Sequence, residues 1–380
     1  MESSSPVLAA FGNPLWDLCV SLPNNGLLSE FGLADDSSTE VTAPEFESLL
    51  RSVESLTDIS YSKKGCPGGA ALNTIRIFQW LVGQQTQPKL SSVFFGSIGD
   101  DENGKLLTKS VSSVGVDVRF KIRSGQLTGS AICLIHNDLR TLVAHLGAAN
   151  VYFPQDITQE DSSIIARVKV VYIENYFFSH SPSVVWDIVK LCKIQGVIIV
   201  FNLSGVYLFE KHAADIASLV KYVDIVVGNE SEFVALANTR EWKIYSDIFD
   251  LANKICAIGV QTLSSVSPGD IKPAKLRYLE DLGKVTVVTR GHKPILCAAE
   301  GNPLFSTPTL NPKFGVKDTT GAGDAFVAGF LMGIIHELPL SQCVHLGCYA
   351  STEIIQQIGC SPPENPPLTI EEIENNFLNH

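Results

Sequence analysis

Short apolar runs recur along the chain at 7–11, 93–96, 170–173, 197–202, 224–228 and 285–290. Most are continuous rather than alternating, the pattern of strands covered on both faces in a parallel sheet. Between them lie helix-length segments with one apolar side. Segment 73–82 gathers Ile75, Phe78, Leu81 and Val82, and segment 183–194 gathers Val184, Val185, Ile188, Leu191 and Cys192. Strands alternating with helices predict an α/β fold: a doubly wound, mostly parallel sheet with right-handed crossovers. Ligands of such sheets bind beyond the carboxyl ends of the strands, where Asn202, Asn229 and Gly291 fall.

Two regions break the rhythm. Residues 18–63 are polar and acidic, with a helix expected over about 44–56. Residues 117–146 alternate like strands, through Val118, Phe120 and Ile122, then Ile132 and Leu134, then Leu142, Ala144 and Leu146. These two insertions predict a smaller α/β lid beside the main sheet, the whole of 1–380 forming one unit. The proline-rich stretch 361–368 cannot be helical and reads as a link to a short C-terminal helix.

At 380 residues and 45% hydrophobic, the chain can bury one large core with an appendage. Its net charge of −12 argues against sequence-independent binding to nucleic acid or to an anionic membrane. Nine cysteines, an odd number with no C-x-x-C spacing, read as buried small hydrophobes in a reducing setting. No apolar run approaches the roughly 20 residues of a membrane span, and the segment Met1–Pro6 lacks the basic and apolar regions of a secretion signal. A cytoplasmic enzyme is expected, with a nuclear pool possible.

Candidate chemistry concentrates at Asp318-Thr319-Thr320-Gly321-Ala322-Gly323-Asp324, which opens an apolar helix. Free N–H groups at a helix start, at the positive end of its dipole, make an anion site. Gly321 and Gly323 allow close backbone approach. Asp324 would repel an anion there, but it is well placed to take a proton from a hydroxyl attacking phosphorus. An anion hole beside a base suggests phosphoryl transfer to an alcohol. A helix cap and a turn are the plainer reading of the same residues.

Other clusters admit two readings. Gly68-Gly69 with Asn73 reads as a turn and helix start, or as a close approach to a sugar with Asn73 on a hydroxyl. Asp17, between Trp16 and Leu18, reads as an Asx turn or as a grip on vicinal hydroxyls. Asn229 and Glu232, three apart, read as a capping box or as holders of hydrated Mg²⁺. Thr289 and Gly291, at a strand end, would line a nucleotide phosphate path. No P-loop, protein-kinase motif set or dinucleotide fingerprint is present in the sequence.

Together, Gly68-Gly69 with Asn73, Asn229-x-x-Glu232 and Asp318-Thr319-x-Gly321-Ala322-Gly323-Asp324 resemble the ribokinase-like carbohydrate and nucleoside kinase family, over roughly residues 7–365. Phe11-Gly12-Asn13-Pro14-Leu15-x-Asp17, Gln79-Trp80, Asn202-Leu203-Ser204 and Gly228-Asn229-Glu230 are similar to the branch that phosphorylates adenosine with ATP. The resemblance implies that Asp324 takes the proton of the ribose 5′-hydroxyl, and that Gly321, Ala322 and Gly323 hold the transferred phosphoryl group beside Thr319. Asp17, helped by Gly68, Gly69 and Asn73, would grip the ribose, with Asn13 shaping the same end and Asn202 at the next strand end. Leu15, Leu142, Ala144, Phe177 and Tyr207 would flank adenine, Phe177 stacking on it. Arg140 would neutralise phosphate charge, Asn229 and Glu232 would position Mg²⁺ through water, and the ATP base would lie between Thr289–Gly291 and the C-terminal helices. A monomer is implied.

The chain departs from the family where Ser37-Ser38-Thr39 stands for Gln-x-Leu, Glu174-Asn175 for a small pair, and Cys348 for a histidine. These departures leave open another nucleoside, such as inosine or guanosine, or a sugar as acceptor. A non-catalytic nucleoside-binding protein would have lost Asp324 or the glycines, which are intact.

Overall fold

The computed structural model describes residues 6–35, 37–56, 63–83, 90–136, 139–239 and 247–378. In chain order the strands are β1 (Leu8–Phe11), β2 (Leu15–Ser21), β3 (Ser38–Glu40), β4 (Lys63–Gly68), β5 (Ser92–Gly99), β6 (Val116–Arg123) and β7 (Ser130–His136). They continue with β8 (Leu139–His145), β9 (Val170–Glu174), β10 (Ile198–Asn202), β11 (Ile225–Asn229), β12 (Val285–Thr289), β13 (Ile295–Ala299) and β14 (Asn302–Thr307).

Nine of them form the main sheet, in the order β14-β13-β12-β11-β10-β9-β1-β5-β6. From β12 to β6 all pairings are parallel; β13 and β14 close one edge as an antiparallel hairpin. Alternate residues feed two cores. Leu8, Ala10, Val170 and Tyr172 pack under the helices Ala70–Val82, Ala322–Ile335 and Leu340–Ile354. Ala9, Phe11, Val171 and Ile173 pack under Pro182–Gln195, Leu208–Val220 and Ile248–Ala257. Burial on both faces explains the continuous apolar runs. β1 lies between β5 and β9, so the strand order reverses there and a crevice opens beyond Phe11.

The lid is a five-stranded sheet, β3-β8-β7-β2-β4. Its outer face is covered by the helix Ala43–Ser55, which buries Phe46, Leu49 and Val53, spaced three and four apart, against Val20, Ile132, Leu134 and Val143. Each of those side chains contributes about 1.5–3 kcal/mol by burial. Thr42 starts the helix, its N–H and hydroxyl both donating to Glu45 (2.8 and 2.7 Å).

The expected lid boundaries need correction. Strand β6, read with 117–146 as lid, pairs in register with β5 at the edge of the main sheet. An edge strand wet on one side alternates just as a lid strand does, so its pattern could not separate them. The second lid insertion is β7–β8, and the first begins at Leu15 rather than at 18.

All nine cysteines are unpaired and buried. Cys19 and Cys66 on the lid face Gly359 of the body; a Cβ there would stand 3.1 and 3.3 Å from their sulfurs. No helix among the described residues is long and apolar enough to cross a membrane.

Candidate active site

Successive strand ends converge on one cavity of about 260 Å³, lined by Asn13 just past β1 and by Glu174, Asn202, Asn229 and Thr289, the last residues of β9, β10, β11 and β12. The lid roofs it with Leu15, Asp17, Arg140, Leu142 and Ala144, and the start of the helix Ala322–Ile335 closes the far end with Thr319–Asp324.

Asp318 shapes that far end. It is 1% exposed; one carboxylate oxygen accepts the N–H and hydroxyl of Thr320 (2.8 and 2.7 Å), and the other accepts the Gly359 N–H (2.8 Å). This holds the loop so that Gly321, at φ +77°, turns into the helix; Ala322 donates its N–H to the Thr319 carbonyl (3.1 Å), while the N–H groups of Gly323 and Asp324 have no backbone acceptor among the described residues. A Cβ on Gly321 would collide with the Cys360 sulfur, so only glycine fits. Asp324 lies one residue past Gly323. Oδ2 of Asp324 accepts from Nδ2 of Asn73 (2.9 Å), and Oδ1 of Asn73 accepts from Arg76 (3.3 Å). Burial pushes the Asp324 carboxyl up to about 6, against the pull of the Asn73 hydrogen bond and the Arg140 charge.

The middle of the cavity holds two oxygens without partners, Asn13 Oδ1 and Asp17 Oδ1, on residues 3% and 6% exposed. Buried acceptors left unpaired are costly, and they fit a ligand that carries hydroxyl donors. Burial pushes Asp17 up to about 7, with Arg140 opposing and Asp324 adding to the rise. Two glycines make room: a Cβ on Gly68 would overlap the Asp17 carboxylate, and one on Gly69, at φ +93°, would overlap the Asn13 carbonyl oxygen.

Asn229 and Glu232 form the capping box. Asn229 donates its N–H and Nδ2 to the two oxygens of Glu232 (both 2.9 Å) and accepts the Glu232 N–H (2.9 Å). Both residues also face the cavity. Burial pushes Glu232 up to about 8, and the Asp324 charge adds to the rise. Arg140 forms no ion pair or hydrogen bond with the described residues, leaving its guanidinium available to the cavity.

The structure therefore brings together Asn13, Leu15, Asp17, Gly69, Asn73, Arg140, Leu142, Ala144, Asn202, Tyr207, Asn229, Glu232, Thr289, Thr319, Gly321, Ala322, Gly323 and Asp324. One expectation needs correction. Phe177 points into the core, 1% exposed, against Phe11 and Tyr152 (ring centroids 5.9 and 5.5 Å); its neighbour Tyr176 lines the cavity. Gly291 does not line the cavity: it sits at φ +62° in the exposed turn of the β12–β13 hairpin, with open space around it. Asn73 does line the cavity, with one amide N–H on Asp324 and its oxygen on Arg76. Gly68 acts from behind Asp17.

Several known proteins resemble this chain in sequence or in fold. Adenosine kinase 2 of Arabidopsis thaliana is 29% identical over 377 residues, covering 96% of this chain and 99% of its own length. The adenosine kinase of Schizosaccharomyces pombe is 28% identical over 363 residues, covering 95% and 97%. Among solved structures, Anopheles gambiae adenosine kinase in complex with P1,P4-di(adenosine-5) tetraphosphate superposes with a TM-score of 0.79 at 25% identity, covering 94% of this chain and 99% of that one. Residues 60–367 match the profile of the pfkB family carbohydrate kinases. The chain belongs to that family.

In this pfkB family chain, sequence reasoning missed Tyr176, Asp318 as a loop organiser, and Glu174. Glu174 is fully buried, accepting the N–H of Asn13 (3.1 Å) and of Ala71 (2.6 Å). It thereby ties the Asn13 loop to the helix that carries Asn73. A carboxylate ending an otherwise apolar strand was the available signal. Burial pushes Glu174 up to about 8, against the Asn13 hydrogen bond.

Proposed function

We propose that the chain is an adenosine kinase, transferring the γ-phosphoryl group of ATP to the 5′-hydroxyl of adenosine and releasing AMP and ADP. One observation carries this reading. A buried carboxylate, Asp324, held by Asn73, follows a glycine anion loop at one end of a cleft, and unpaired Asp17 and Asn13 oxygens lie further along it. The adenosine kinases matched over nearly their whole length support the acceptor.

Asp17 and Asn13 accept from the ribose hydroxyls, and Leu15, Leu142 and Ala144 face the base on the lid side, with Tyr176 and Tyr207 opposite. Asp324 takes the 5′-hydroxyl proton as the O5′–P bond forms and the bond from phosphorus to the ADP oxygen breaks. The N–H groups of Gly321 and Gly323 and the Arg140 guanidinium stabilise the charge on the transferring group. Positioning both substrates in one closed cleft supplies much of the acceleration.

Mg²⁺ would arrive with ATP and be held largely by phosphate and water, since the described residues hold no cluster of three or more metal-ligating side chains. Asp17, Glu174, Glu232 and Asp324 crowd one cavity, each pushed up from its ordinary range. Glu232 and Asn229 would hold the hydrated ion through water, because their side-chain oxygens already accept each other's N–H groups. The ion supplies neutralisation of phosphate charge. Nine buried thiols suit work in the reducing cytoplasm.

The test is ADP release with ATP and Mg²⁺ across adenosine, inosine, guanosine, cytidine, ribose and fructose. Strong preference for adenosine is expected. Preference for another nucleoside would move the acceptor assignment, and no turnover with any would overturn the kinase reading.

A further inference from the structure

We infer that Glu40 reads the far edge of the acceptor's base, selecting bases that present an N–H donor there; this rests on the adenosine reading above. The lid register carries the argument. Asp17 on β2 pairs with Ala131 on β7, Ala131 pairs with Ala144 on β8, and Ala144 pairs with Glu40 on β3. Paired residues on neighbouring strands point to the same face of a sheet. Asp17 and Glu40 therefore stand in one row, two small alanines between them, and both line the cavity. Three strand spacings separate them by about 14 Å. A purine nucleoside hydrogen-bonded at its ribose hydroxyls and at the opposite edge of its base spans a similar length. With the ribose on Asp17, the base crosses the alanine floor and its outer edge reaches Glu40.

The opposite wall fixes Glu40 in place. His180, at the end of the helix Asn175–His180, sets Nε2 3.4 Å from Glu40 Oε2. This is the one contact of a carboxylate with a basic side chain between lid and body among the described residues. The other oxygen, Oε1, has no hydrogen-bond partner among them. The His180 hydrogen bond, with Lys211 and His145 nearby, holds the Glu40 carboxyl below its usual range, so it is an acceptor and not a donor at neutral pH. The other residues at this end are Leu142, Leu146, Tyr176 and Tyr207, with Ser38 and Thr39 beside Glu40 on β3, and none of them is charged. A single charged acceptor at the end of such a slot discriminates strongly against a base that cannot donate to it.

Adenosine is compared with purine riboside, which has hydrogen in place of the 6-amino group, in the wild type, Glu40→Gln and Glu40→Ala. The wild type should favour adenosine in kcat/KM by about 10–100-fold, chiefly through KM, the range of a hydrogen bond to a charged group. Glu40→Ala should bring the two substrates within about 3-fold by weakening adenosine alone. Glu40→Gln, which keeps an acceptor oxygen, should fall between. An unchanged preference in Glu40→Ala, or no preference in the wild type, would overturn the inference. If the wild type fails to phosphorylate adenosine at all, the fault lies with the acceptor assignment and not with Glu40. Glu40 sits on an edge strand, one third exposed, so its variants should fold; equal melting temperatures check this.

Discussion

Asp324 combines two demands that conflict in water. It must be ionised to take a proton, yet it faces an anion site, and burial has already pushed it up to about 6. Its base form fills as pH rises through that value, so kcat should climb between about pH 5 and 7 and then level. Asn73 donates to the carboxylate and holds its pKa down. Asn73→Ala should therefore move the acid limb of the kcat profile to higher pH while leaving a plateau within about 10-fold of wild type, whereas Asp324→Ala should cost about 10²–10⁴-fold on the plateau and abolish the limb. A limb unmoved by Asn73→Ala would mean that another group sets it. Asp324, Asp17 and the glycines were legible because each breaks a local rule: a carboxylate in an apolar context, or glycines beside a helix start. Tyr176 and Phe177 were not separable. Both rings follow a strand end where the period changes from two to 3.6, and which of them enters the core is decided by Phe11 and Tyr152, far away in sequence.

At the scale of elements, the site is an arrangement of starts and ends. Helices begin at Gly69, Asn229 and Gly321, and strands stop at Phe11, Glu174, Asn202 and Thr289. Gly321 is the tightest joint, with a left-handed backbone and Cys360 against its α-carbon. Gly321→Ala should strain the turn by about 1–3 kcal/mol and displace the anion loop from Asp324. The expected result is kcat reduced by about 10²-fold, on the scale of losing an oxyanion donor, with adenosine KM little changed. Equal losses in affinity and turnover, measured by steady-state kinetics with each substrate varied, would place the defect elsewhere. Parallel strands were readable from their continuous apolar runs. The short β3, the glycine- and proline-bearing β4 and the β13–β14 hairpin carry no such run, and β6 shows an alternation shared by lid and edge strands alike.

Taken whole, the molecule concentrates carboxyl groups where their charge is least tolerated. Asp17, Glu174, Glu232 and Asp324 are raised to about 7, 8, 8 and 6. Each binds its proton more tightly folded than unfolded. The stabilisation this brings is complete below about pH 4 and is lost as pH rises through 6 to 8. Carboxylates held low outside the cleft, such as Asp101 and Asp161, act oppositely and lose their contribution only in acid. The ligand-free protein should therefore melt at progressively lower temperature from pH 5 to pH 8, and Glu174→Gln should make that decline shallower. Calorimetry showing a flat or rising melting temperature over this range would contradict the burial assignment.

The seat of Gly359 against Cys19 and Cys66 has a practical consequence. Those two thiols are covered where the lid meets the body, whereas Cys192 and Cys297 lie wholly inside the body. Swinging the lid outward uncovers the first pair and leaves the second untouched, which only global unfolding can release. The chain thus carries two chemical clocks: the alkylation rate of one pair times each opening of the cleft, and that of the other times the lifetime of the folded state.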